Sequence, residues 1–327
     1  MVDGLVGSEM CIRDSSFSST TTASFSADFA IGAVDGGTAT TDDAVNAGYG
    51  FQIDLNTSFT GEDSFDVSLD AGNAGVHGIS EFDLNSASET LTVDGISYTF
   101  PVAGATFLVG DTVDGSSLFS TACAYGGPSN TLDDCGNVNA AFVGSGTTFG
   151  ASYDFDNGFT AAVGYAGAGD STAGLMTQEG ADSYGGNVAY TADTYGVSVT
   201  YAMVEDATGV DDTYTALNAY WTPEGFPSIS AGYEWGDDGS KADASDELTS
   251  YFVGIETEVG PGTAGAALGT KTPTVEGSGE LLMYEAFYSY PVNDGMTITP
   301  LVYVKEFATG TDDAVSYTHL RAHETIN

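Results

Sequence analysis

Over Tyr49–Asn73 (YGFQIDLNTSFTGEDSFDVSLDAGN) apolar and polar residues alternate along two arms. The first arm sets Tyr49, Phe51, Ile53 and Leu55 against Gln52, Asp54 and Asn56; the second sets Phe65, Val67 and Leu69 against Asp66, Ser68 and Asp70. Successive side chains of a β-strand point to opposite faces, so strict period-2 alternation specifies a half-buried strand. Thr60-Gly61-Glu62-Asp63 between the arms is a polar, glycine-containing turn. The segment therefore reads as an antiparallel hairpin with one apolar and one carboxylate-bearing face. What remains to be decided is which solvent each face meets.

The rest of the chain repeats the pattern. Residues 16–34 alternate Phe25, Ala27, Phe29 and Ile31 against Ser26, Asp28, Ala30 and Gly32, and an acidic loop, 35–46, follows. Strands are expected over 78–86 and 90–102, and 103–110 runs into the longest irregular stretch. Asn157-Gly158 joins strands at 147–156 and 159–166, an adjacent pair spans 184–193 and 195–205, and Thr222-Pro223-Glu224-Gly225 joins 214–221 to 228–235. Further strands at 248–259, 263–270, 281–292 and 296–307 bring the readable total to about fifteen. One face of 195–203 carries Tyr195, Val197, Val199, Tyr201 and Met203; Ile229, Ala231, Tyr233 and Trp235 oppose Ser230, Gly232 and Glu234.

Tight turns alternate with long acidic loops along this series. That asymmetry belongs to transmembrane barrels, whose strands alternate apolar outward with polar inward; a soluble sandwich keeps its large apolar residues inside and its polar face outside. Here the non-apolar face is mostly Gly, Ser, Ala, Asp and Glu, which suits a wet lumen. Tyr184, Tyr195, Tyr214, Tyr220, Trp221, Trp235, Tyr284, Tyr288 and Tyr290 stand near strand ends, where interfacial girdles are expected. The expected fold class is an all-β, antiparallel transmembrane barrel.

Composition agrees. Forty-four glycines with 18 Tyr and 18 Phe favour short strands and tight turns over helices. Hydrophobic residues make up 42%, yet no run approaches the roughly 18 that a membrane helix needs. A formal charge of −42 repels phosphate backbones, so nucleic acid is not an expected partner. It suits high-salt water, where screening tolerates dense carboxylates, or a protein that handles cations.

The longest irregular stretch, 111–146, carries Leu118, Phe119, Tyr125, Phe142, Cys123 and Cys135. Long loops inside compact domains are usually functional or disordered, and these apolar residues favour an ordered one. Cys123 and Cys135 are expected to close a small ring by a disulfide rather than to hold a metal, since no further Cys or His lies nearby. His77 is expected to be an ordinary loop residue; no Gly-x-Ser-x-Gly elbow accompanies it, so neither an enzyme nor a cofactor is expected. The acidic run 236–247 departs from the EF-hand spacing.

The two ends resemble something other than protein. Residues 4–15 (GLVGSEMCIRDS) and 315–325 (VSYTHLRAHET) look like translations of the two strands of one transposase sequencing adaptor. The expected domain organisation is adaptor-derived sequence at 1–15 and 315–327 around a barrel fragment at 16–314.

Phe17–Ala33 (FSSTTTASFSADFAIGA), DLNTSFTGED running into LDAGN, NGFTAAVGYAG, AYWTPEGFPSISAGYEWG and YSYPVNDGMTITPLVYV resemble, in this order, the cyanobacterial outer-membrane porins, OprB-type proteins often labelled iron-uptake porins. The resemblance implies a sixteen-stranded, trimeric barrel in outer-membrane lipid that passes small hydrophilic solutes and ions, with iron or carbohydrate as cargo suggested by family labels. It departs where relatives carry basic residues: Ser68, Asp70, Asp111 and Asp114 stand here, so an anion preference is not carried over. The family's closing strand is expected to be missing after Gly310–Ala314.

Transport needs a charged, water-filled lumen rather than catalytic residues. Gln52, Asp54, Asp66, Asp70, Asp154, Glu234, Glu256 and Glu258 are expected to face it, with Asp114, Asp133 and Asp134 on a long loop folded inward as a constriction. Converging carboxylates would favour cations. The alternative is a secreted acidic surface or adhesion protein that binds calcium, with its tyrosine-rich faces buried between sheets.

Overall fold

The computed structural model describes residues 20–35, 44–75, 79–82, 84, 89–141, 146–169, 171–178, 180–205, 209–239, 247–306 and 313–326. His77, Phe142, the first terminal segment and most of the 236–247 run lie outside them. The strands are β1 (Thr21–Asp35), β2 (Val45–Thr57), β3 (Ser64–Gly72), β4 (Thr92–Val102), β5 (Ala105–Asp111), β6 (Thr147–Asp154), β7 (Phe159–Gly167), β8 (Asp182–Thr191) and β9 (Tyr195–Glu205). They continue with β10 (Asp211–Trp221), β11 (Ser228–Asp237), β12 (Glu247–Val259), β13 (Gly262–Thr270), a two-residue β14 (Thr274–Val275), β15 (Leu282–Asn293), β16 (Met296–Lys305) and β17 (Asp313–Ile326).

Sixteen long antiparallel strands follow one another in sequence order, with β14 a side pairing on β12. β17 pairs with both β16 and β1, and β1 with β2, so hydrogen bonding passes from each long strand to the next and back to β1. The sixteenth place, expected to lack its native strand, is taken by β17, most of which is the stretch likened above to adaptor sequence.

The opening hairpin has the expected register, with Ile53 opposite Leu69, Leu55 opposite Val67 and Gln52 opposite Asp70. Asp63 fixes its turn. One carboxylate oxygen accepts the N–H groups of Phe59 and Thr60 and the hydroxyls of Ser58 and Thr60, and the other accepts the Tyr98 hydroxyl at 2.6 Å. The Tyr98 bond, with those of Thr60 and Ser58, holds this carboxyl well below the usual carboxylate range.

The two faces separate cleanly. Along β9, Val197 and Val199 are about half exposed while Ser198 and Thr200 are buried; along β11, Ile229, Tyr233 and Trp235 are exposed while Ser230 and Glu234 are buried. Register carries this from strand to strand: Val199 pairs with Leu217, Leu217 with Tyr233, and Ile229 with Ile255. Large apolar side chains thus recur on the exposed face of the described strands, the reverse of a water-facing surface. The calcium-binding alternative required these tyrosine-rich faces to be buried between sheets, and they are not.

Rings at the short-turn end touch one another, Tyr153 with Phe155 at 4.9 Å, Phe159 with Tyr190 at 4.8 Å and Tyr190 with Tyr195 at 5.7 Å. Two expected girdle residues belong elsewhere. Tyr214 is buried among Ala140, Ala166, Ala202 and Ala216, and Tyr220, on the same face of β10, donates to the Ala192 carbonyl. Both occupy the inward parity of their strand, which proximity to a strand end does not reveal.

Among the described residues of the expected strand 78–86, no strand is found. The chain makes a 3-10 turn at Ser80–Phe82, and Ile79 and Phe82 are buried in the same apolar cluster as Ala30, Leu301 and Tyr303. Their spacing of three suits one helical turn, which brings both to one side.

Candidate pore constriction

The stretch between β5 and β6 is clipped along one face of the sheet. Ser120, Ala122, Ala124 and Gly126 donate their backbone N–H groups to Asn187 on β8, Ser198 on β9, Ser230 on β11 and Glu256 on β12, at 2.9–3.1 Å. Every second loop residue thus meets a polar side chain on the inward face of β8, β9, β11 or β12, in that order, so the loop runs across the inside of the wall. On its return, Asn218 donates to the Cys135 carbonyl, and Glu234 accepts the Asn139 N–H, the Asn139 amide and the Ala140 N–H, the three Glu234 bonds all at 2.8 Å. Tyr125 donates to Glu285 at 2.6 Å.

Glycines on the wall make room for this loop. A Cβ at Gly232 would land on the Cys135 carbonyl oxygen, one at Gly164 on the Gly115 carbonyl oxygen, and one at Gly254 against the Tyr125 ring. Below the loop, Tyr125, Leu132 and Cys135 pack with Phe252, Met283 and Phe287 into an apolar core. Cys123 and Cys135 are joined as a disulfide, 12 residues apart with Cα atoms 6.3 Å apart.

A second segment also turns inward. Asn130 donates to the Glu81 carbonyl at 2.7 Å, and the Glu81 carboxylate is ion-paired with Lys305 on β16. Between these two inward segments and the wall of β1, β2, β15 and β16 lies a cavity of about 470 Å³. Ser26, Asp28, Gln52, Ser289, Thr297 and Thr299 line it from the wall; Gly126, Gly127, Pro128 and Asp133 line it from the loop, and Phe82 and Leu84 from the second segment. The described residues of the lining bring carboxylates, hydroxyls and an amide, and no Lys or Arg is among them.

The residues singled out in the sequence divide by what covers them. Gln52 lines the cavity and donates to Asp54, which also accepts the Ser68 hydroxyl; Asp70, buried, accepts the Thr92 hydroxyl. Asp66 accepts from Asn56 and Ser64. These belong to the polar ladder of β2 and β3, in register with Ser24 and Ser26 of β1. Asp154, at the short-turn end of β6, accepts the Asp156 N–H, and Glu258 accepts the Thr263 hydroxyl. Asp114, Asp133 and Asp134 are exposed on the loop, Asp133 at the cavity. Glu234 and Glu256 sit under the loop and hold it. Sequence reasoning did not single out Asp28, Glu81, Glu285 or Lys305. Asp28, Glu285 and Lys305 had a signal, their place on the inward parity of β1, β15 and β16; Glu81 is brought inward by tertiary folding. Among the described residues no group of three or more His, Cys, Asp or Glu is arranged to hold a metal ion.

A sixteen-stranded antiparallel barrel with apolar outer wall, tight turns at one end and a long loop folded against its inner wall has the porin fold. Solved structures agree. OprB from Pseudomonas putida matches with TM-score 0.66 and 10% identity over 98% of this chain and 97% of that one. An anion-selective porin from Comamonas acidovorans matches with TM-score 0.68 and 14% identity over 93% and 99%. A loop-deletion mutant of OmpT, an outer-membrane protein of Vibrio cholerae, matches with TM-score 0.62 and 11% identity over 93% and 100%. No family model and no curated protein matches the sequence.

Proposed function

We propose that this chain is an outer-membrane porin: a passive diffusion channel for small hydrophilic solutes and ions that favours cations. The observation that carries the proposal is the cavity beside the inward loop, which is polar, bears Asp28 and Asp133 and, among its described lining residues, has no Lys or Arg. Water-filled passages lined by carboxylates raise the local cation concentration and disfavour anions. The apolar outer wall supports a site in lipid. Among the described residues no helix is long and apolar enough to cross a membrane, so the crossing would be made by the strands. The fold is that of a channel rather than an enzyme, and the trimeric assembly implied by the sequence resemblance is part of the same proposal. We assign no particular cargo: neither iron nor carbohydrate is marked by a residue of the cavity. Liposome swelling tests the channel directly. Vesicles containing the protein should swell in small neutral osmolytes at rates that fall steeply with solute size; swelling no faster than empty vesicles would exclude an open pore.

A further inference from the structure

We propose that the Cys123–Cys135 disulfide is a redox switch on the width of the constriction. The inference rests on the channel reading above. Every residue that the long loop contributes to the cavity, Gly126, Gly127, Pro128 and Asp133, lies inside the ring that this bond closes. The cavity's remaining inward lining, Phe82 and Leu84, belongs to the segment tied to the same ring through Asn130 and the Glu81 carbonyl. One covalent bond therefore spans the base of the elements that face the β1, β2, β15 and β16 wall.

The wall holds the ring at both arms and, through Tyr125 on Glu285 and Leu132 in the apolar core, at two points inside it; Gly126, Gly127, Pro128 and Asp133 lie between these anchors. Ala124 and Gly126 bond to Ser230 and Glu256 on the way in, and the Cys135 carbonyl bonds to Asn218 on the way out. Between them, the N–H groups of Leu132 and Asp133 bond to the Ser129 carbonyl, and that of Cys135 to the Leu132 carbonyl, within the ring itself. Closing such a span removes conformational freedom, and opening it restores that freedom to the cavity-lining segment. Cys135 is buried, whereas Cys123 is partly exposed, so a small reductant meets the bond from the Cys123 side.

The step balances with a dithiol reductant. A thiolate of the reductant attacks Sγ of Cys123, the Sγ–Sγ bond breaks and Cys135 leaves as thiolate and takes up a proton. The second thiol of the reductant then displaces Cys123, which is protonated in turn. The reductant ends as a cyclic disulfide and the protein gains two electrons and two protons.

The test is single-channel recording of the full chain before and after dithiothreitol, with maleimide labelling in parallel. Because the chain has a third cysteine, Cys11, and Cys135 is buried, reduction of the folded protein followed by labelling in denaturant should raise the labelled thiols from one to three per chain. Reduced channels should show conductance higher by roughly a quarter to a half and more open-state noise, as the freed span of loop fluctuates. The C123S/C135S double variant should conduct like the reduced protein and ignore dithiothreitol. Reduced and oxidised channels of equal conductance and noise would overturn the switch while leaving the channel standing. So would a bond that no reductant opens in the folded protein. Absence of channels from the oxidised wild type would instead overturn the channel reading, and the switch with it.

Discussion

The phenol of Tyr125, on the inward loop, donates a 2.6 Å hydrogen bond to the carboxylate of Glu285, on β15, across a contact buried on both sides. Burial first, and then the charge of Glu285, push the Tyr125 phenol above its ordinary range, so it stays a donor through alkaline conditions in which exposed tyrosines ionise. Tyr125→Phe removes the donor and leaves a buried acceptor without it, which costs about 1–3 kcal/mol. The expected outcome is a lower urea midpoint for the refolded barrel and noisier channels. Unchanged values on both counts would mean that the bond does not hold the loop.

Asp63 makes the hairpin turn pH-sensitive. Its carboxyl titrates below the ordinary carboxylate value, because the ionised form collects the Tyr98, Thr60 and Ser58 bonds. A depressed folded-state value stabilises the fold above the unfolded value of about 4, and that contribution disappears as pH falls through the folded-state value. Asp63→Asn should therefore lower the unfolding midpoint at pH 7, and the difference from wild type should shrink in acid below about pH 4. Denaturation series at pH 7 and pH 3 measure both.

These two sites show what a sequence of this kind discloses. The alternation along β9 and β11 is a local property of the strand, so the outward set Val197, Val199, Ile229 and Tyr233 is readable residue by residue. The inward set is readable only as a face. Asp54 and Glu234 look alike in sequence, each a carboxylate on the polar parity of a strand. Asp54 joins the wall's own polar ladder, whereas Glu234 is covered by Asn139 and Ala140, some 95 residues away along the chain. Gly232 suited a wet lumen equally well, yet it meets the Cys135 carbonyl. Where the loop crosses the wall is a tertiary fact. Only its length, apolar residues and cysteines announced that it would be ordered.

Gly232→Ala tests that crossing. The added methyl would coincide with the Cys135 carbonyl oxygen and crowd the Asn218 amide, so the loop must move or the barrel must strain. Overpacking of this kind costs about 1–3 kcal/mol. The expected result is a less stable barrel with altered single-channel conductance, read by recording and by denaturant unfolding. Gly186→Ala is the control: a Cβ at that position meets nothing closer than 3.4 Å, and both properties should stay near wild type.

Lys305 is paired with Glu81 beside the cavity and offsets its charge. Lys305→Met leaves that carboxylate uncompensated and should shift the reversal potential further toward the cation's equilibrium value; Glu81→Gln should shift it the opposite way. Identical reversal potentials for wild type and both variants would place the pair outside the conduction path.

The sharpest test of a cation-favouring channel is the reversal potential of single channels in a planar bilayer under a tenfold salt gradient. Discrete conductance steps are expected with a reversal potential displaced toward that of the cation, and with a displacement that weakens as total salt is raised and the carboxylates are screened. Discrete steps reversing on the anion's side would contradict the acidic constriction, and the absence of steps from folded, inserted protein would contradict the channel itself.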